Sequence, residues 1–269
     1  MNWFFQDPNF QLGDFIMLTS GLKAISELRN ERINVYFSNA SVRDLYLDCP
    51  FINILKKRPS KSPFASSKFS SYNHGLYRKK KMKGESMQEC FFRIYAKQKG
   101  YDKEMPHTYV DCPDGLKLNK ESKKRYVAIF HGCLGDLFVP KKSVPDQTLP
   151  FMVEEVLRND FIPVILGSSL DNKRFWRRVN LKNKNIINYV GKLSIRDSVS
   201  VLSQCDNFIS NDTGLYHVAS ALKKNGLVIW RLTSLEKNSP SYNGVKIFNG
   251  KRLGHIECNN AISDYLRDL

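Results

Sequence analysis

Apolar positions along the chain fall into short strand-like runs separated by stretches with helical spacing. Trp3-Phe4-Phe5 predicts a first strand. After Leu12-Gly13-Asp14, apolar residues recur at Phe15, Ile16, Leu18, Leu22, Ile25 and Leu28, the spacing of a helix with one buried face. Ile33-Asn34-Val35-Tyr36-Phe37 is β-branched and aromatic and predicts a second strand. Arg43–Leu47 predicts a short helix that stops near Pro50, and Phe51–Leu55 a third strand. Strand, helix, strand at this spacing implies βαβ units on a parallel sheet.

The pattern then breaks. Between Lys56 and Lys83 ten residues are basic and none is acidic, with Pro59, Pro63, Gly75 and serines preventing regular structure. Phe64, Phe69, Tyr72 and Tyr77 are interleaved. This stretch reads as a long basic loop. Helical spacing returns over Glu85–Gly100 through Met87, Cys90, Phe91, Ile94 and Tyr95, and polar Cys112–Lys124 is the linker. Beyond it the alternation restarts. Strands are predicted at Tyr126–Phe130, Ile162–Leu166, Ile186–Val190, Asn207–Ser210 and Leu227–Trp230, with helices at Phe151–Leu157, Ile195–Leu202 and Tyr216–Leu222. The expected layout is a first α/β domain over 1–118 carrying the basic loop 56–83, a second over 124–250, and a C-terminal helix in 251–269. Ligands of such domains bind at the carboxyl ends of the strands.

Composition narrows the class. The chain has 269 residues with 42% hydrophobic and 12% aromatic side chains, enough for two packed cores and too apolar for a disordered chain. It contains no run of 18 apolar residues, so no transmembrane helix is expected, and Met1–Asp14 lacks the profile of a signal peptide. Cys49, Cys90, Cys112, Cys133, Cys205 and Cys258 form no C-x-x-C pair, which argues for reduced thiols, a cytoplasmic location and no structural metal. The net charge of +16 points to a polyanionic partner: nucleic acid, an anionic lipid surface or a phosphorylated glycan.

The sharpest chemical signal is Ser210-Asn211-Asp212-Thr213-Gly214-Leu215-Tyr216-His217-Val218-Ala219. An apolar strand runs through a small polar turn into a helix. Free amides and the positive end of the helix dipole make such a turn a phosphate site, and Gly214 permits close approach. Alternatively, Asp212 and Thr213 simply cap the helix. His217, one turn in, either reaches the ligand or fixes the loop from the core. His131-Gly132, at the end of a strand, is a second ligand-facing pair.

Asp-Thr-Gly-x-x-His-x-Ala after a strand resembles the nucleotide-sugar motif of the heptosyltransferases, glycosyltransferase family 9. Other segments resemble that family in its own order: Leu12-Gly13-Asp14-Phe15-Ile16, Leu47-Asp48-Cys49-Pro50-Phe51-Ile52, Pro163–Gly167 and Gly191-Lys192-Leu193-Ser194-Ile195. The likeness covers roughly residues 10–55 and 125–230. It implies a GT-B fold, two Rossmann-like domains facing each other across a cleft. It also implies inverting, metal-independent transfer from a nucleotide-sugar donor, and the chain has no Asp-x-Asp pair.

On that resemblance Asp14 is the general base, beside Gly13, unless it only caps its helix. Lys192 and one of Lys141 or Lys142 neutralise the leaving diphosphate, unless they are solvated surface charges. Lys141-Lys142-Ser143-Val144-Pro145 resembles the family's Lys-x-Trp-Pro segment without its Trp. Asp212, Thr213, Gly214, His217, His131 and Gly132 complete the expected donor site. The acceptor side is assigned to Gly13 and to the basic loop through Lys56, Lys57, Arg58, Lys79, Lys80 and Lys81. Basic residues interleaved with aromatics suit a nucleic-acid backbone with exposed bases. The favoured acceptor is therefore DNA carrying a hydroxymethyl base, with the lipopolysaccharide inner core as alternative. A non-catalytic nucleotide- or nucleic-acid-binding module is the third reading.

Overall fold

A computed structural model describes residues 3–6, 12–57, 85–119, 123–132, 142–180 and 182–269. The chain forms two compact units, Met1–Cys112 with Ser234–Ser241, and Pro113–Thr233 with Tyr242–Leu269. The basic loop from Arg58 onward, including Lys79, Lys80 and Lys81, lies outside the described residues, as do Cys133 and Lys141.

The first unit carries a parallel sheet in the order β1 (Trp3–Gln6), β2 (Ile33–Phe37), β3 (Ile52–Ile54). Helix α1 (Leu12–Arg29) connects the first two strands. Its burial departs from the one-faced pattern. Gly13, Phe15 to Leu22 and Ala24 are all buried, while Leu28, expected on the inner face, is 42% exposed. A helix apolar all round belongs inside, and here Phe15 packs against Phe37 and Tyr46 with ring centroids 4.9 Å away in both cases. The predicted Arg43–Leu47 helix is instead α2 (Ala40–Arg43), capped by Asn39, followed by a single 3₁₀ turn, Asp44–Tyr46. Asp111 fixes the end of that turn by accepting the Asp48 N–H at 2.7 Å. Helix α3 (Met87–Tyr95) begins at a capping box of Ser86 and Glu89. It also ties in the returning segment, since the Met87 N–H donates to the Lys237 carbonyl at 2.8 Å.

The second unit is built on six parallel strands in the order β6-β5-β4-β7-β8-β9. They are β4 (Arg125–Phe130), β5 (Phe161–Leu166), β6 (Ile187–Asn188), β7 (Asn207–Asn211), β8 (Asn225–Trp230) and β9 (Val245–Asn249). Renumbered from its own first strand, this is the 3-2-1-4-5-6 order of a doubly wound dinucleotide-binding sheet. Helices α4 (Thr148–Arg158), α5 (Ser169–Arg174), α6 (Ile195–Gln204), α7 (Gly214–Ala221) and α8 (His255–Arg267) join and cover the strands. Val127, Ile129, Met152, Val156, Ile165 and Ile209 are among the core residues. Strands β4, β5 and β8 are largely apolar and buried rather than alternating, as burial on both faces requires.

Strand β9 and helix α5 were not expected from the pattern. Val245–Asn249 is a partly exposed edge strand, and Ser169–Arg174 is a single polar helix held by a Ser168–Asp171 capping box. The predicted linker is not loose at its described end. The Leu116 carbonyl accepts from Ser200 Oγ at 3.2 Å and from Gln204 Nε2 at 2.8 Å, and the Leu118 N–H donates to Gln204 Oε1 at 2.9 Å. Among the described residues, no helix is long and apolar enough to cross a membrane.

Candidate functional site

In the second unit the sheet order reverses between β4 and β7, and ligands of doubly wound sheets sit at that switch point, beyond the carboxyl ends of the strands. His131-Gly132 leaves β4 there, and Asp212-Thr213-Gly214 leaves β7. Asn211, the last residue of β7, bridges the two ends. Its Oδ1 accepts the Gly132 N–H at 3.4 Å, and its Nδ2 donates to the Lys142 carbonyl at 3.2 Å. Gly132 has φ +144°, and a Cβ there would collide with the Asp171 carboxylate, so this turn admits only glycine without rearrangement.

Thr213 is the N-cap of α7. Its backbone is extended, and its hydroxyl accepts the Tyr216 N–H at 3.4 Å. Asp212 does not share that task, contrary to the reading in which both residues cap. Its carboxylate receives the Lys142 ammonium at 3.0 Å and the Thr233 hydroxyl at 2.5 Å, both on Oδ2. Asp212 is only 4% exposed, and a buried carboxylate needs such a cation and such a donor to offset its lost hydration. The lysine side chain keeps 23% exposure. Of the two adjacent lysines considered for the diphosphate, Lys142 joins Asp212.

His217 lies in α7 with its ring 4.4 Å from that of Tyr216. Burial lowers its pKa to about 4, with the Lys142 charge adding to the shift and the Asp212 charge opposing it. The imidazole is neutral at pH 7, able to accept or donate one hydrogen bond but carrying no charge for a phosphate. The structure places His131, the second ligand-facing candidate, in the interior of the second unit. It is 2% exposed, its ring meets Phe175 edge-on at 4.6 Å, and its Nε2 accepts the Val144 N–H at 3.0 Å. Burial drives its pKa down to about 3. It is a core histidine that fixes the chain just after Lys142.

Lys192 is exposed and its ammonium donates to the Asn188 carbonyl at 2.7 Å. It follows β6, three strand positions from β7, a separation of about 14 Å at the usual strand spacing. The structure therefore gathers Lys142, Asp212, Thr213, Gly214 and His217, and holds Lys192 by β6.

In the first unit, Asp14 sits in the first turn of α1 and is partly exposed, next to buried Gly13. Lys56 and Lys57 are exposed just beyond β3. Among the described residues, no group of three His, Cys, Asp or Glu side chains is placed to hold a metal ion. Two residues of the second-unit network were not anticipated as site residues, Asn211 and Thr233. Asn211 stands within the motif itself. Thr233 lies 21 residues past its partner, a separation that carries no sequence signal.

The chain is similar to known proteins in both sequence and fold. Over 97 residues the chain is 28% identical to lipooligosaccharide heptosyltransferase 2 of Haemophilus ducreyi, a stretch covering 34% of this chain and 28% of that one. The chain thus spans under a third of that curated relative's length. The ADP-heptose lps heptosyltransferase II of E. coli superposes with a TM-score of 0.72 at 15% identity, covering 100% of this chain and 99% of that one. An E. coli heptosyltransferase solved with ADP gives 0.72 at 12% identity, with 100% and 99% covered. The fold is thus the α/β GT-B class with parallel sheets. A sequence model of glycosyltransferase family 9 (heptosyltransferase) matches residues 65–264, and by that match the chain belongs to glycosyltransferase family 9.

Proposed function

We propose that the protein transfers a sugar, with inversion, from a nucleoside-diphosphate sugar to a hydroxyl of an acidic glycan of the lipopolysaccharide inner-core type. The observation that carries this reading is the grouping at the switch point. A lysine ammonium, oriented by a buried carboxylate, stands beside the turn whose helix start offers the amides of Gly214 and Leu215. A leaving diphosphate develops charge that a fixed cation and fixed N–H dipoles stabilise.

In this reading the acceptor oxygen attacks the anomeric carbon as the bond to the diphosphate breaks, and Asp14 takes the hydroxyl proton. Lys142 and the amides of Gly214 and Leu215 meet the departing charge. Asp212 contributes by holding Lys142, not by touching the diphosphate, since two anions would repel. No metal is required in this scheme.

The relatives named for lipooligosaccharide and lps heptosyl transfer support the glycolipid acceptor, and ADP in one of the similar structures supports an ADP-heptose donor. The net charge of +16 suits a phosphorylated glycan at an anionic surface. The DNA acceptor favoured by the basic loop finds no counterpart among these relatives. The test is mass spectrometry of a heptose-deficient lipopolysaccharide core and of hydroxymethylated DNA, each incubated with ADP-heptose and a panel of other nucleotide sugars, with and without EDTA. A sugar added to the core and unaffected by EDTA is the expected result. Transfer to DNA alone would restore the nucleic-acid reading, and loss of activity in EDTA restored by a divalent cation would refute metal independence.

A further inference from the structure

We propose that Thr233 is a positioning residue for donor binding, which sets the orientation of Lys142 through the carboxylate of Asp212; this rests on the reading of Lys142 as the diphosphate's cation. Thr233 is held at both ends. Its carbonyl accepts the Trp230 indole N–H at 2.7 Å, and its hydroxyl donates to Asp212 Oδ2 at 2.5 Å. Trp230 is itself buried at the end of β8, the strand next to β7, so the anchor is rigid. The same carboxylate oxygen receives the Lys142 ammonium at 3.0 Å.

Two donors on one oxygen divide its charge. The hydroxyl bond satisfies part of the carboxylate's demand and fixes the plane of the carboxyl group, so that the ammonium is held at its edge. A lysine ammonium has three N–H groups, and a lysine fully absorbed by its counter-ion would have fewer to offer. The lysine backbone is pinned independently by Asn211. What Thr233 controls is therefore the ammonium and not the loop as a whole.

The chain's path gives this clamp its place in the fold. Thr233 is the last residue of the second unit before the chain enters Ser234–Ser241, which packs with the first. The hydroxyl is thus fixed at the one end of that segment where the donor motif is built.

The experiment measures nucleoside-diphosphate affinity by calorimetry, using whichever of ADP, GDP, UDP and CDP the wild-type protein binds, with the matching nucleoside as control. Thr233→Val, which keeps the shape and removes the hydroxyl, should weaken diphosphate binding about tenfold, the scale of one hydrogen bond to a charged group. The nucleoside alone should bind unchanged. Thr233→Ser should restore affinity, and Thr233→Ala should repeat the loss should the valine variant not fold. In a Lys142→Met background, Thr233→Val should have no further effect, because the hydroxyl acts only through the lysine. Wild-type affinity in Thr233→Val, equal loss for nucleoside and diphosphate, or a full additional loss in the Lys142→Met background would each overturn the assignment of Thr233 alone. Failure of the wild type to bind any of the four diphosphates would overturn the donor-site reading, and this inference with it.

Discussion

Two acidic residues stand at starts of helices that follow parallel strands, and the structure treats them differently. Asp14 lies inside the first turn of α1 and is partly exposed. Asp212 lies one residue before the cap of α7, is buried, and has its charge matched by Lys142 and its Oδ2 further engaged by Thr233. A carboxylate committed to a lysine organises charge. The proposed function gives the partly exposed Asp14 the role of proton acceptor. The same residue type thus stands in two settings, one buried against a lysine and one partly exposed.

The contrast is broken most sharply at Asp14. Asp14→Asn should lower the transfer rate by about 10²–10⁴-fold, the usual range for a lost general base, while leaving donor affinity near its wild-type value. Near-normal turnover in that variant would remove Asp14 from the mechanism. Gly132→Ala tests the turn that Asn211 bridges. A side chain at φ +144° that meets the Asp171 carboxylate should cost more than about 1 kcal/mol of stability, read as a lower denaturation midpoint.

Asp212→Asn sharpens the other half of the comparison. It leaves the Lys142 ammonium without its carboxylate, and with the lysine 23% exposed the loss should be about 1–3 kcal/mol, less than for a fully buried pair. Unlike Asp14→Asn it should also weaken diphosphate binding. An Asp212→Asn protein as stable as wild type and with unchanged donor affinity would contradict the role given to this pair.

A separate effect is expected from pH. His131 and His217 have folded pKa values of about 3 and about 4, both below the ordinary 6.5. The unfolded chain binds protons that the folded one refuses, so stability is full above about 6.5 and falls as pH drops toward 3. Denaturant titrations across that window should show the slope, and His217→Gln should reduce it.

Much of this was legible in the sequence because it depends on local pattern. Apolar strands such as Tyr126–Phe130 and Ile162–Leu166 are found near their predicted places because strands buried on both faces are written as continuous apolar runs. The Asp212-Thr213-Gly214 turn was visible for the same reason, as a small polar break between a strand and a helix. What the pattern hides is pairing across distance. Nothing local says that Lys142 faces Asp212, or that Thr233 holds the same oxygen. Nor does it show that Ser234–Ser241 rejoins the first unit. The burial of His131 is hidden too, because a histidine at a strand end looks the same in the sequence whatever its ring packs against. Helix α1 misled because its apolar stripe continues around the helix through Met17, Thr19 and Ser20, small or neutral residues that burial accepts once their hydroxyls bond within the helix.

The most direct test of the account is a structure of the protein with a nucleoside diphosphate bound. The account predicts a phosphate within hydrogen-bonding distance of Lys142 Nζ and of the Gly214 and Leu215 amides, with Asp212 still holding the lysine from behind. Phosphates bound away from Lys142 and from the start of α7 would contradict it.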